Sequence, residues 1–130
     1  MRLRYGAAIA VVLMVVLAGA LRTGEAEGRH RLRAIATAYC QKGITRGGNP
    51  VHRGVIAADP AVLPLGSVVR VEVAANRLSG IYTVDDTGGD VKGRRIDIFM
   101  PNCVRARRFG RKPAMIEVLE RGEKRVTATE

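Results

Sequence analysis

A small all-β domain, barrel or sandwich, is the fold this sequence predicts, and three observations carry the prediction. Between residues 34 and 119 the chain is a succession of short apolar runs of strand length, at 34–40, 54–59, 67–74, 80–86, 95–100 and 114–120. Several alternate with period two, as Val69, Val71 and Val73 do against Arg70 and Glu72, the pattern of a strand with one buried face. Gly and Pro punctuate the connections and leave little room for helix. Six short strands in so small a unit favour closure, because an open sheet would present unpaired edges to solvent.

Taken in order, the elements begin with MRLRYGAAIAVVLMVVLAGA. Arg2 and Arg4 precede an uncharged run from Tyr5 to Leu21, and Ala18-Gly19-Ala20 supplies a small-x-small cleavage site. That is the anatomy of a secretory signal peptide. The run also sits near the lower limit of the ~17–25 residues that span a bilayer, so residues 1–21 read as a signal peptide or an uncleaved anchor helix. Both readings export the remainder, to a periplasmic or an extracellular, cell-wall location. Residues 22–33, RTGEAEGRHRLR, are charged and aperiodic and read as a linker. The barrel domain follows over 34–119. Within it DPAVLPLG, with Pro60, Pro64 and Gly66, is a turn region, and CVRARRFG (103–110) is the one short helix expected, ended by Gly110 and Pro113. Residues 120–130 read as a solvated tail.

Charge indicates the sign of the partner. The chain carries a net +10, and cleavage after Ala20 removes Arg2 and Arg4 and no acid, leaving +8. A cationic exported protein suits an anionic polymer or lipid surface. Nucleic acid is a poor match, because stacking platforms need aromatic side chains and these are only 4% of the sequence. The cations gather late in the domain, at Lys92, Arg94, Arg95, Arg105, Arg107, Arg108, Arg111 and Lys112. Cys40 and Cys103 are the only two cysteines. In an oxidising compartment an even count predicts a disulfide between them, the alternative being a nucleophilic Cys40 assisted by His52.

The motifs of zinc hydrolysis, triad chemistry and phosphate loops are missing, and only His30 and His52 supply imidazoles. No metal and no cofactor is expected. The aspartates are the remaining chemical groups. Asp59 ends one strand before Pro60, Asp86 ends another before Thr87-Gly88-Gly89, and Asp97 interrupts a strand between Ile96 and Ile98. Aspartate is disfavoured inside strands, and alternation puts Asp97 on the face opposite both isoleucines. Turn capping is the structural alternative for Asp59 and Asp86, and a solvated outer face for Asp97. DDTGGD lacks the spacing and terminal acid of an EF-hand.

ATAYC, GVIAADPAVLPLGSVVRV, VDDTGGDVKGRRIDIFMPN and ARRFGR, in that order and spacing, resemble the three-aspartate (3D) domain, a family related to A-type lytic transglycosylases and stationary-phase cell-wall hydrolases. The resemblance covers roughly residues 34–119. It implies a six-stranded double-psi β barrel and a catalytic site of Asp59, Asp86 and Asp97, with Asp97 as the acid. It further implies cleavage of the MurNAc–GlcNAc β-1,4 bond with formation of 1,6-anhydro-muramyl ends, with Tyr39 and the Thr87-Gly88-Gly89 turn meeting substrate. The partners expected are peptidoglycan glycan strands and other anionic wall polymer, with no nucleic acid, and a membrane only through residues 5–21 if uncleaved. A non-catalytic wall- or partner-binding barrel is the main alternative, and a hydrolase using water a third. Relatives usually carry Ala where this chain has Asp90. Asp85, expected to point away from Asp86, reads as peripheral.

Overall fold

The computed structural model describes residues 29–75 and 78–123. The signal or anchor stretch 1–21, linker residues 22–28 and tail residues 124–130 lie outside the described residues. Six strands and one helix follow in order: β1 (Arg31–Tyr39), β2 (Val55–Ala58), β3 (Val68–Val73), β4 (Gly80–Asp86), β5 (Arg95–Phe99), α1 (Cys103–Phe109) and β6 (Lys112–Glu120). The sheet closes as β1-β5-β2-β4-β3-β6, so it is a barrel and not a sandwich, and no strand is left as an edge. β1–β5 and β2–β4 pair in parallel and the other four contacts are antiparallel.

Alternation fills the interior. Val69 and Val71 of β3, Val84 of β4, Ile96 and Ile98 of β5, and Ile116 of β6 point inward and are fully buried. Each contributes about 1.5–3 kcal/mol by leaving water. β2 is buried along its whole length: Ile56 and Ala58 face the core, while Val55 and Ala57 alternate with them on the other face. The helix starts where Asn102 Oδ1 accepts from Arg105 N at 3.0 Å, and stops at Gly110, whose φ of 67° suits a residue without Cβ. Ala106 and Phe109 are its buried residues.

One expectation needs correction. β1 begins at Arg31, inside the stretch read as linker. The charges there are cross-strand partners, which a search for apolar periodicity overlooks. Arg31 and Arg70 both stand opposite Glu117 in the sheet, and Glu117 is only 2% exposed. Arg70 Nη1 lies 2.8 Å from its carboxylate, Arg29 Nη1 3.2 Å and Arg31 Nη2 3.8 Å. Burial pushes the Glu117 carboxyl up, but the hydrogen bond from Arg70 and the three guanidiniums more than offset it and hold it below the usual carboxylate range. Its contribution to stability is therefore complete at neutral pH and is lost as pH falls through that lowered titration.

Candidate active site

The barrel register builds the site. Thr37 of β1 stands opposite Asp97 of β5, Asp97 opposite Ala57 of β2, and Ala57 opposite Asp86 of β4. Four strands thus deliver one outward-facing row: Thr37, Asp97, Ala57, Asp86. Ile96 and Ile98, on the other face of β5, fix Asp97 in this orientation by their burial in the core. The β2–β4 pairing slips by one residue at this point: Ile56 pairs with Val84, but Ala57 with Asp86. Asp85 is the residue left over, the hallmark of a bulge, and the slip brings Asp86 into the row.

Asp97 is half-buried. Thr37 Oγ1 donates to its Oδ1 at 3.0 Å, and Arg95 Nη2 in turn donates to Thr37 Oγ1 at 3.5 Å. Burial raises the Asp97 carboxyl above the usual carboxylate range; the Thr37 hydrogen bond and the Arg95 charge oppose this, and the charge of Asp86 adds to it. The Asp86 carboxylate is held differently, by three donors: Tyr39 Oη at 3.3 Å, Arg46 N at 3.1 Å and Thr87 N at 2.9 Å. Burial first, then the charge of Asp86, lifts the Tyr39 phenol above its ordinary titration, so that it serves as a donor. Its ring packs edge-on against Phe99 with centroids 5.5 Å apart.

Asp86 and Asp97 line one open cleft of about 270 Å³ together with Tyr39, Thr87, Gly88 and the floor residue Ala57. Gln41, Lys42, Gly43, Ile44, Val51 and Val91 complete its walls. Asp59 and Gly89 are not among the lining residues. Asp59 lies outside, where its carboxylate accepts from Ala61 N at 3.0 Å and Gly93 N at 2.8 Å; these two bonds, with Lys92 nearby, hold it below the usual range. It caps its own turn and ties down the loop that carries Val91. The carboxylates of Asp86 and Asp97 are thus brought into one cleft, with Asp59 beside it.

Asp85, read as peripheral from its expected orientation away from Asp86, is not among the residues that line the cleft. It is nonetheless the anchor of the cleft wall. Its Oδ2 accepts from Thr45 Oγ1 at 2.7 Å and from Asn49 Nδ2 at 3.2 Å, and its carbonyl from Gly47 N at 2.9 Å. The same loop presents Arg46 N to Asp86. The doubled acid therefore divides its labour: one carboxylate enters the cleft and the other fastens the loop that forms its wall. A Cβ on Gly47 would run into the Asp85 side chain and come within 3.1 Å of its carbonyl oxygen. Gly47→Ala is accordingly expected to cost ~1–3 kcal/mol, measured by urea denaturation, and to free the loop. An unchanged midpoint would refute the anchoring role.

Cys40 and Cys103 are joined in a disulfide with Cα atoms 5.1 Å apart, which removes Cys40 as a nucleophile. His52 turns to its own loop, with Nδ1 2.7 Å from the Arg53 carbonyl. Among the described residues, no three His, Cys, Asp or Glu side chains gather in a metal-binding group. Sequence reasoning overlooked Thr37, Ala57 and Arg46, because their roles arise from strand order and register. The Gly47-Gly48 pair beside Thr45 and Asn49 was the one local signal for the anchored loop.

Residues 54–120 match the family model described as the 3D domain. The chain is 38% identical over 106 residues to the cell wall-binding protein YocH of Bacillus subtilis, covering 75% of this chain and 35% of that protein. It is 42% identical over 94 residues to the SPbeta prophage-derived protein YorM of the same organism, covering 64% and 39% respectively. Among solved structures it is similar to the lytic transglycosylase LtgG of Burkholderia pseudomallei (TM-score 0.54, 20% identity, 65% of this chain and 28% of that one). It is also similar to E. coli MltA with bound chitohexaose (TM-score 0.53, 17% identity, 63% and 29%). The likeness to both structures is one of fold, and the chain spans less than two fifths of the length of these sequence relatives.

Proposed function

The chain belongs to the 3D domain family, and from that premise we propose that it is an exported peptidoglycan-cleaving enzyme, a lytic transglycosylase. The observation that carries the reading is the row itself: Asp97, half-buried and held above the usual carboxylate range, faces Asp86 across the small Ala57 at the floor of one cleft. The two carboxyl environments differ: Asp97 is half-buried beside Thr37, while Asp86 accepts from Tyr39, Arg46 N and Thr87 N.

Asp97, protonated, donates to the glycosidic oxygen as the bond to C1 of the muramyl unit breaks. The carboxylate left behind accepts the proton of the muramyl 6-hydroxyl. That oxygen closes on C1, so a 1,6-anhydro end forms and no water is consumed. Asp86, fixed by Tyr39, Arg46 and Thr87, presents its carboxylate to the positive charge developing at C1. Tyr39, Thr87 and Gly88 contact the sugar from the cleft walls. Asp59 supports the site from outside by holding the 90–93 loop in place, and Gly89 completes the turn. The two parallel pairs, β1–β5 and β2–β4, support the finer description of the fold as a double-psi barrel. The basic surface favours anionic wall material, and the apolar segment 5–21 supports export, as signal or anchor.

A second reading has one observation in its favour: a relative bears the name cell wall-binding protein. In it the same cleft holds glycan and does not cut it. Incubation of the exported protein with purified sacculi separates the two. Soluble fragments with anhydro-muramyl ends support cleavage, and retention on sacculi without any release supports binding alone. Either way the row must stay open. Ala57→Leu places a larger side chain between Asp97 and Asp86 and is expected to weaken retention about tenfold or more, equivalent to ~1.4 kcal/mol or more. Undiminished retention would place the glycan elsewhere.

A further inference from the structure

We propose that a trough beside the cleft receives an acidic peptide branch of the glycan, which makes the protein selective for strands that still carry their peptides. The proposal rests on the reading of the cleft as a glycan site. The trough has a volume of about 570 Å³. Phe99 and Pro101 from the end of β5, with Ile44, Pro50 and Val51 from the 42–51 loop, supply its apolar lining.

Its position follows from the strand. Phe99 is two residues beyond Asp97 on β5, on the same outer face and roughly 7 Å along. Tyr39 stands opposite Phe99 and packs against it while its hydroxyl reaches Asp86, so the aromatic pair bridges the two depressions. The 42–51 loop is their common wall: Lys42, Gly43, Ile44 and Val51 line both. A substituent branching from a sugar seated at Asp97 is thus delivered into the trough within the length of one residue or two.

Chemistry selects the occupant. Ile44 is 70% exposed, a large apolar side chain at the rim whose burial by a ligand is favourable. The loop that presents it is not loose: Ile44 bridges to Pro50, Val51 N donates to Gly43 O at 2.9 Å, and Asp85 fastens Thr45 and Asn49. The charged groups lining the trough are cationic, Lys42 and Arg53, with His52 beside them and no carboxylate. Aliphatic walls with cations and no acid fit a short peptide of small apolar residues bearing free carboxylates. A bare sugar would leave the apolar walls uncovered and the cations unpaired.

The test uses the full exported chain carrying Asp97→Asn, so that strands are bound and not consumed. Binding is measured to soluble peptidoglycan strands with their peptides and to the same strands stripped by an amidase. The expected preference is ~3- to 10-fold for peptide-bearing strands, the scale of a few exposed charge pairs and some buried apolar area. A second substitution, Arg53→Glu, is expected to bring the ratio to parity by weakening binding to peptide-bearing strands while binding to stripped strands is unchanged, a result that a general loss of folding does not imitate. Equal binding of both strands, or binding of neither, overturns the proposal. So does a concentration-dependent dimer abolished by Ile44→Ser, which would give the trough to a second copy of the chain. The underlying functional reading fails separately: if the unsubstituted protein releases no fragments while the preference holds, the trough stands and cleavage falls.

Discussion

Asp97→Asn is expected to abolish release of anhydro-muramyl fragments from sacculi, by ~10²–10⁴-fold at least, while leaving the protein folded and bound to glycan. Asparagine matches the shape of the acid and still accepts from Thr37, but it has no proton for the leaving oxygen and no carboxylate to take one back from the 6-hydroxyl. Both steps of the proposed reaction fail together. The substitution has a second expected effect, of opposite sign. Because burial raises the Asp97 carboxyl, the folded state binds its proton more tightly than the unfolded chain does, and stability falls as pH rises through that titration. Above that raised titration the ionised, half-buried acid is a burden. Relative to the parent, Asp97→Asn should gain stability as pH rises through that titration, with the advantage shrinking as pH falls toward the ordinary carboxylate range. Thermal melts across pH check this. A variant less stable at neutral pH than at acidic pH, relative to the parent, would contradict the burial argument.

Loss of the disulfide is the other large effect. The bond closes a loop with a sequence separation of 63 and joins the end of β1, immediately after Tyr39, to the first residue of α1. Constraining the unfolded chain over that length contributes ~4 kcal/mol on the loop-entropy account. A domain of this size has only about 5–15 kcal/mol in total, so the double substitution Cys40→Ala, Cys103→Ala is expected to remove a large share of it. Locally, Met100 N still donates to Tyr39 O at 2.8 Å, but Gln41 and Lys42, which lead into the cleft wall, lose their covalent tether. Urea denaturation of oxidised, reduced and doubly substituted protein measures the effect. A difference below about 1 kcal/mol would mean that the loop was already ordered without the bond.

The strands were legible because alternation is a local signal. Val69, Val71 and Val73 announce a buried face whatever they pair with, and Gly110 announces the end of a helix. Asp97 was legible for the complementary reason: a carboxylate between two isoleucines has to face away from the core. Pairing is not local. No feature of RLRAIATAY says that it runs parallel to RIDIF, and without that Thr37 cannot be placed beside Asp97. The one-residue slip opposite Ile56 and Ala57 was equally hidden, and it decides which of Asp85 and Asp86 enters the cleft. Charge misled at the start of β1. Arg31 and Arg33 looked like linker because the partner that makes Arg31 structural, Glu117, lies at the far end of the domain.

The family resemblance marked three aspartates, and the geometry gives them unequal stations. Asp97 and Asp86 share the cleft floor through Ala57, while Asp59 is committed to backbone amides outside it. On this account, removing Asp59 acts through the position of the 90–93 loop and not through proton transfer.

Digestion of sacculi in water labelled with heavy oxygen tests the proposed chemistry most directly. Intramolecular attack by the 6-hydroxyl predicts new muramyl ends lighter than a reducing end by one water and free of label. New ends that are reducing and carry the heavy oxygen would show water as the nucleophile and contradict the account.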